Sequence, residues 1–162
     1  MVLGTVFAII VFRKGTNPVR RFGVLSVLGF LVCFCFGACS NSQSDARRLA
    51  KQEATQWLSI VDSGKYDESW TEAGVVLQSN INEAKWHQAL GNMHSAFGSV
   101  VSRRLTSEQY FKDPPNSPPG VYINIIYDTA FEKRSPMNET VMLELEGGRW
   151  KVTGYFIKPG SS

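Results

Sequence analysis

The sequence predicts an α+β domain in which N-terminal helices pack on a curved antiparallel sheet, preceded by an export signal. Three observations carry that expectation. From Ala46 to Phe97 apolar residues recur at steps of three and four, the period of a helix; from Val100 to Ile157 they alternate at steps of two, the period of a strand. Helices followed by a run of strands make a segregated α+β architecture with the helices on one face of the sheet. Ahead of both lies an apolar run, Val19 to Cys39, with the layout of a signal peptide.

In that run Arg20 and Arg21 form the positive start, Val24 to Phe36 is an uncharged apolar stretch, and Gly37-Ala38 are the small residues a signal peptidase needs beside its cut. The closing Phe36-Gly37-Ala38-Cys39 resembles the lipobox of bacterial lipoproteins, with Phe36 in place of the usual Leu. That resemblance implies that Cys39 is the lipid-attachment site and the first residue of the mature chain, anchoring it to a membrane. By the same resemblance, in a Gram-negative host Ser40 after the cysteine implies the outer membrane, facing the periplasm. An alternative keeps Phe22 to Ala38 as an uncleaved anchor, short for a span that takes roughly 20 residues. Residues 1–18 hold a second apolar run, Met1 to Phe12, and then a polar break. They read as an upstream start that is not translated, or else as an extension ahead of a signal at 19–38.

Composition bounds the function. The net charge of +3 rests on Arg13, Lys14, Arg20 and Arg21, and without these four the remaining 13 basic residues face 14 acidic ones. The body therefore has no electrostatic footprint for nucleic acid. All three cysteines, Cys33, Cys35 and Cys39, belong to the signal or its cut, so the body has no disulfide framework. Inside an apolar run, Cys33 and Cys35 act as small hydrophobes.

Residues 39–45 read as the lipidated cysteine and a polar tether, and 46–160 as the folded domain. Ala50, Ala54, Trp57, Leu58 and Val61 form the buried stripe of a first helix that ends at Gly64, a natural left-handed cap. Tyr66 and Trp70 share one face of a short second helix that stops at Gly74. Val75 to Leu77 reads as a brief strand or connector, and Asn80 with Glu83 as a capping box opening a third helix. Trp86, Leu90, Met93 and Phe97 are that helix's buried stripe, with Gly98 at its end. His87 and His94, the only histidines, are about 10 Å apart along its axis, too far to share one metal ion.

Strands are expected over Val100 to Thr106 and on toward Tyr110, then Val121 to Glu132, Thr140 to Glu146 and Arg149 to Ile157. Four prolines in Asp113 to Gly120 cannot join a ladder, so that segment is a stiff loop. If Gly147-Gly148 is a two-residue turn, Leu145 opposes Trp150 and Leu143 opposes Val152, while Glu144 faces Lys151 and Glu146 faces Arg149. In the strand from Val121, Val121, Ile123, Ile125, Tyr127 and Phe131 line one face. The other face, Tyr122, Asn124, Ile126 and Asp128, is mixed.

The segments DSGKYDESW (Asp62 to Trp70), AFGSVVSRRL (Ala96 to Leu105) and GRWKVTGYFIKPG (Gly148 to Gly160) resemble the bacterial family catalogued as domain of unknown function 4019. The element order is similar to the NTF2-like (cystatin-like, SnoaL-type) cone. The first resemblance brings no activity with it; the second implies either a pocket enzyme with an acid or base at the floor, or a binding module without chemistry. Asp128 is the weak candidate for a general base, Tyr122, Asn124 and His94 are weak candidates for binding, and Asp67 is a further polar group. No nucleophile elbow, P-loop or HExxH pattern is present, so catalysis is not expected, and neither a cofactor nor a metal. The expected role is a ligand- or protein-binding module, its partners a small apolar ligand, an envelope protein or a second copy of the chain; a SnoaL-like isomerase or hydrolase is the alternative. Placing a stop codon between Met1 and Val19 is expected to leave expression intact, and loss of the protein in an immunoblot would show that residues 1–18 are translated.

Overall fold

The computed structural model describes residues 7–9, 39–115 and 117–160. The signal read at 19–38 lies outside them, as does most of the 1–18 segment. Elements follow in the order β1 (Phe7–Ile9), α1 (Cys39–Asp62), α2 (Tyr66–Thr71), α3 (Val75–Asn80), α4 (Glu83–Phe97), β2 (Val100–Lys112), β3 (Val121–Phe131), β4 (Arg134–Glu146) and β5 (Arg149–Pro159). Among the described residues the strands form one antiparallel sheet, β1-β5-β4-β3-β2. The α+β class is as the sequence predicts.

The first helix begins earlier than expected. Residues 39–45, read as a tether, are the opening turns of α1. No Gly or Pro interrupts residues 39–62, so nothing in the local chemistry stops the helix from extending past the first core residue. The predicted stripe, Ala50, Ala54, Trp57, Leu58 and Val61, is buried against the sheet. The helix ends at Gly64, whose φ of 73° lets the Gly64 and Lys65 amides donate to the Val61 and Ile60 carbonyls, a double-bonded C-cap.

Val75 to Leu77 is helical, the first turn of α3, and not a strand or connector. Leu77 is fully buried on one side of it while Val75 lies exposed, a one-sided burial that a single turn of helix satisfies. The capping box shifts with it. Asn80 is the last residue of α3, and Asn82 is the N-cap of α4, accepting from the Lys85 amide at 2.9 Å. Two Asn residues two apart offered the same signal, and the one in extended backbone directly ahead of Glu83 caps the helix.

Strand β4 starts six residues before the expected Thr140, and β2 runs on to Lys112. The hairpin register matches the expectation at every pair: Leu143↔Val152, Glu144↔Lys151, Leu145↔Trp150 and Glu146↔Arg149. The side chains of the Glu144↔Lys151 pair nevertheless go elsewhere. Lys151 Nζ donates to the carbonyl and carboxylate of Glu72, and Glu144 receives the Tyr122 hydroxyl.

The core fills the space between helices and sheet. Ser69, fully buried on α2, ties three helices together: its carbonyl accepts from Trp57 Nε1 at 2.8 Å and its hydroxyl from Trp86 Nε1 at 2.9 Å. Both indole donors are thereby satisfied without water. Around them Ile123, Ile125, Val141, Leu143 and Val152 have no exposed surface. Replacing Asn82 by Ala is expected to cost about 1 kcal/mol of stability, measured by urea unfolding, while Asn80→Ala costs less; the reverse order would return the cap to Asn80.

Candidate functional site

The most chemically distinctive group is one that sequence reading passed over. Extending the alternation of β4 backward from Leu143 and Val141 puts Glu139 and Met137 on the core face, and Glu139 is completely buried. A buried carboxylate must be compensated, and here four donors surround it. Oε1 accepts from the Tyr155 hydroxyl at 2.6 Å and Arg103 NH2 at 3.0 Å; Oε2 accepts from Arg103 Nε at 2.5 Å and Thr129 Oγ1 at 2.7 Å. The far side of the guanidinium is held by Asp62, which takes NH1 at 2.7 Å and NH2 at 2.9 Å. Arg103 thus clamps two carboxylates at once, a geometry that a lysine could not reproduce.

The charges follow from this arrangement. Burial works against the Arg103 cation, but the hydrogen bonds to Asp62 and Glu139, with the fields of both carboxylates, outweigh it and hold the guanidinium pKa above its ordinary value. Burial, reinforced by the adjacent Glu139, pushes the Tyr155 hydroxyl well above its ordinary value, so it remains a donor. Each oxygen of Glu139 accepts two hydrogen bonds, and these tie β4 to β2, β3 and β5. It is a structural carboxylate.

The residues singled out from sequence do not converge. Tyr122, Asn124 and Asp128 share the sheet face away from the helices, as their parity on β3 requires. Tyr122 and Asp128 are six residues apart on one strand, about 20 Å, so one small substrate cannot touch both. Asp128 is paired with Arg104 at 2.8 Å on the face turned away from the described helices. The Tyr122 hydroxyl lies 3.0 Å from both the Pro118 carbonyl and Glu144 Oε1; burial first, then the Glu144 hydrogen bond, raises its pKa to about 12. His94 is exposed in the last turn of α4. Cys39 is the first residue of α1.

His87 joins Asp67 instead, Nδ1 to Oδ1 at 2.7 Å, beside the Tyr66 ring. The two line a wide cleft of about 520 Å³ with Glu83, Ala84 and Gln88. Among the described residues no group of three His, Cys, Asp or Glu side chains is placed to hold a metal ion.

A second cleft, about 350 Å³ and more enclosed, runs between α1 and the β4–β5 hairpin. Leu49, Gln52, Glu53 and Gln56 form one wall and Arg149, Trp150 and Lys151 the other, with Glu72 at the end. Burial raises the Glu53 pKa, opposed by Lys151 and abetted by Glu72. This groove offers both signs of charge within reach of solvent, with Leu49 as an apolar rim.

Removing one partner of the interior network leaves a buried charge uncompensated, so Arg103→Met is expected to cost about 3–5 kcal/mol in chemical denaturation. Arg103→Met combined with Glu139→Leu recovers part of the loss. Asp128→Ala is expected to stay within about 0.5 kcal/mol of wild type. A near-neutral Arg103→Met would show that the network does not hold the fold.

No curated protein matches the chain. Residues 53–155 match the family model described as Protein of unknown function (DUF4019), a span that contains Asp62, Arg103, Thr129, Glu139 and Tyr155 and both walls of the hairpin groove from Glu53 onward. The chain belongs to the DUF4019 family.

Proposed function

We propose that this chain is an exported lipoprotein of the bacterial envelope, cut ahead of Cys39 and acylated there, a cut that removes β1 and leaves β5 as an edge strand, and that its folded body is a binding module and not an enzyme. In a host with two membranes Ser40 after the cysteine favours the outer membrane, with the body in the periplasm. The observation that carries the binding reading is the groove between α1 and the β4–β5 hairpin, where carboxylates and cations line one solvent-reachable cleft. The acid–base groups elsewhere are committed to each other: Glu139 to Arg103, Thr129 and Tyr155, Asp128 to Arg104, and Asp67 to His87.

A cleft of that kind favours a small ligand bearing both charges and an apolar portion, its anionic end toward Arg149 and its cationic end toward Glu53. The ligand class expected from sequence, small and apolar, is refined to an amphiphile by the charges that line the groove. An envelope protein presenting a similarly charged segment is served by the same groups.

Two measurements test the reading. Intact mass of the detergent-extracted protein is expected to show a chain starting at acylated Cys39, and an unmodified cysteine or a retained Phe22 to Ala38 would overturn the anchor. For the module, residues 44–162 are titrated with dipeptides and short-chain phosphocholines while the melting temperature is followed. A probe that binds is expected to raise it, by about 2.7 kcal/mol of stabilisation at a hundredfold excess over Kd. Glu53→Ala with Arg149→Ala abolishes the rise, and Asp128→Ala leaves it unchanged. Chemical turnover of a bound probe, lost on replacing a single acid, would establish the SnoaL-like enzyme instead.

A further inference from the structure

The anchor and the fold together determine which end of the domain meets the lipid. Helix α1 starts at Cys39 and continues to Asp62 without Gly or Pro, so the anchor point is joined to the body by helix and not by a loose linker. Along the sheet α1 runs antiparallel to β2. Asp62 meets Arg103 near the start of that strand, Lys51 and Arg47 meet Glu108, and Arg47 stacks over Tyr110, 5.6 Å from the ring centre. Beyond the Arg47–Tyr110 contact, Lys112 stands about 7 Å farther on at strand rise, and Cys39 about 12 Å farther on at helix rise. The loop that follows Lys112 is therefore level with the anchor.

We infer that the Pro-rich β2–β3 loop, Asp113–Pro115 and Ser117–Gly120, is a lipid-contacting surface that sets the domain upright on its bilayer. The inference rests on the lipoprotein reading and adds the face that the anchor presents. The chemistry of the loop suits such a place. Pro115, Pro118 and Pro119 are exposed apolar rings without a backbone N–H, so moving them toward a partly dehydrated headgroup layer strands no donor. Among the described residues the loop's amides are bonded within the loop: Asp113 N–H to the Gly120 carbonyl, Ser117 N–H to the Pro114 carbonyl, and Gly120 N–H to Asp113 Oδ1. Exposed Lys112 flanks the loop with a cation for lipid phosphates.

The opposite end carries the β3–β4 turn at Glu132 and Lys133 and the Gly160 amide bonded to the Pro136 carbonyl. The 24 residues of α1 separate the two ends by about 36 Å. On this orientation the α1–hairpin groove opens close to the membrane, since Leu49 and Gly148 on its walls belong to the anchor end.

The processed protein has no cysteine other than acylated Cys39, so a single introduced thiol reports its own position. Full chains carrying Ser117→Cys, Lys112→Cys or Lys133→Cys are expressed in a lipoprotein-processing bacterium, labelled with a polarity-sensitive dye and reconstituted into phosphatidylethanolamine–phosphatidylglycerol vesicles containing headgroup spin-labelled lipid. Quenching and a blue-shifted emission are expected at 117 and 112, with neither at 133. Equal signals at all three positions, or a larger one at 133, in protein whose mass shows acylated Cys39 would overturn the orientation alone. Unmodified Cys39 in protein that does not float with the vesicles would sink the lipoprotein reading and the orientation with it.

Discussion

A carboxylate with no solvent contact is the constraint on which the rest of this structure depends. Taking the Glu139 charge out of water costs several kcal/mol, and only a complete set of well-placed donors offsets it. Those donors come from Arg103 on β2, Thr129 on β3 and Tyr155 on β5, and Asp62 at the end of α1 closes the set through Arg103. A one-residue slip of any of these strands would turn a donor to the other face and leave the carboxylate stranded. The network therefore specifies the register of four strands and the seat of α1 together, where apolar packing alone tolerates sliding. Tyr155 extends the constraint into the aromatic core, since its ring lies edge-on to Trp57 at 5.3 Å.

Most of the scaffold was legible in the sequence because it is written in periodicity. The α1 and α4 stripes, the β4–β5 register and the caps at Gly64 and Gly98 each follow from spacing and one special residue. The network was not legible in that way. Its members are far apart in sequence, and a strand beginning at Thr140, as the sequence predicts, leaves Glu139 outside it. The usable signal was parity: with Val141 and Leu143 inward, Glu139 must also point inward, and an inward acid requires a cation such as Arg103. The three segments that carry the family resemblance contain Asp62, Arg103 and Tyr155, which gives those segments a physical content that their spacing did not reveal.

The candidate site was less legible, for a related reason. Asp128, Tyr122 and Asn124 stand out in the sequence because polar residues interrupt one strand face, but the face turned away from the described helices accepts polar residues at little cost. Their shared parity places them on one face of β3 and does not make them converge. The α1–hairpin groove joins residues nearly a hundred positions apart, Leu49 to Gln56 with Arg149 to Lys151, and only the docking of α1 on the sheet brings its walls together.

Helix α1 links these features, and its length dictates how they act on one another. It carries Cys39 at its start, one groove wall from Leu49 to Gln56, the core stripe from Ala50 to Val61, and Asp62 at its end. Glu53 and Asp62 are nine residues apart, about 13 Å along one rigid rod. Widening the groove by moving the helix would pull Asp62 away from Arg103 and expose Trp57, both of which are strongly opposed. The groove is consequently preformed, and any adaptation to an occupant would fall to the long side chains of Gln52, Gln56 and Arg149. A ligand entering such a groove would meet cations and carboxylates already positioned, so little ordering of the backbone would count against its affinity.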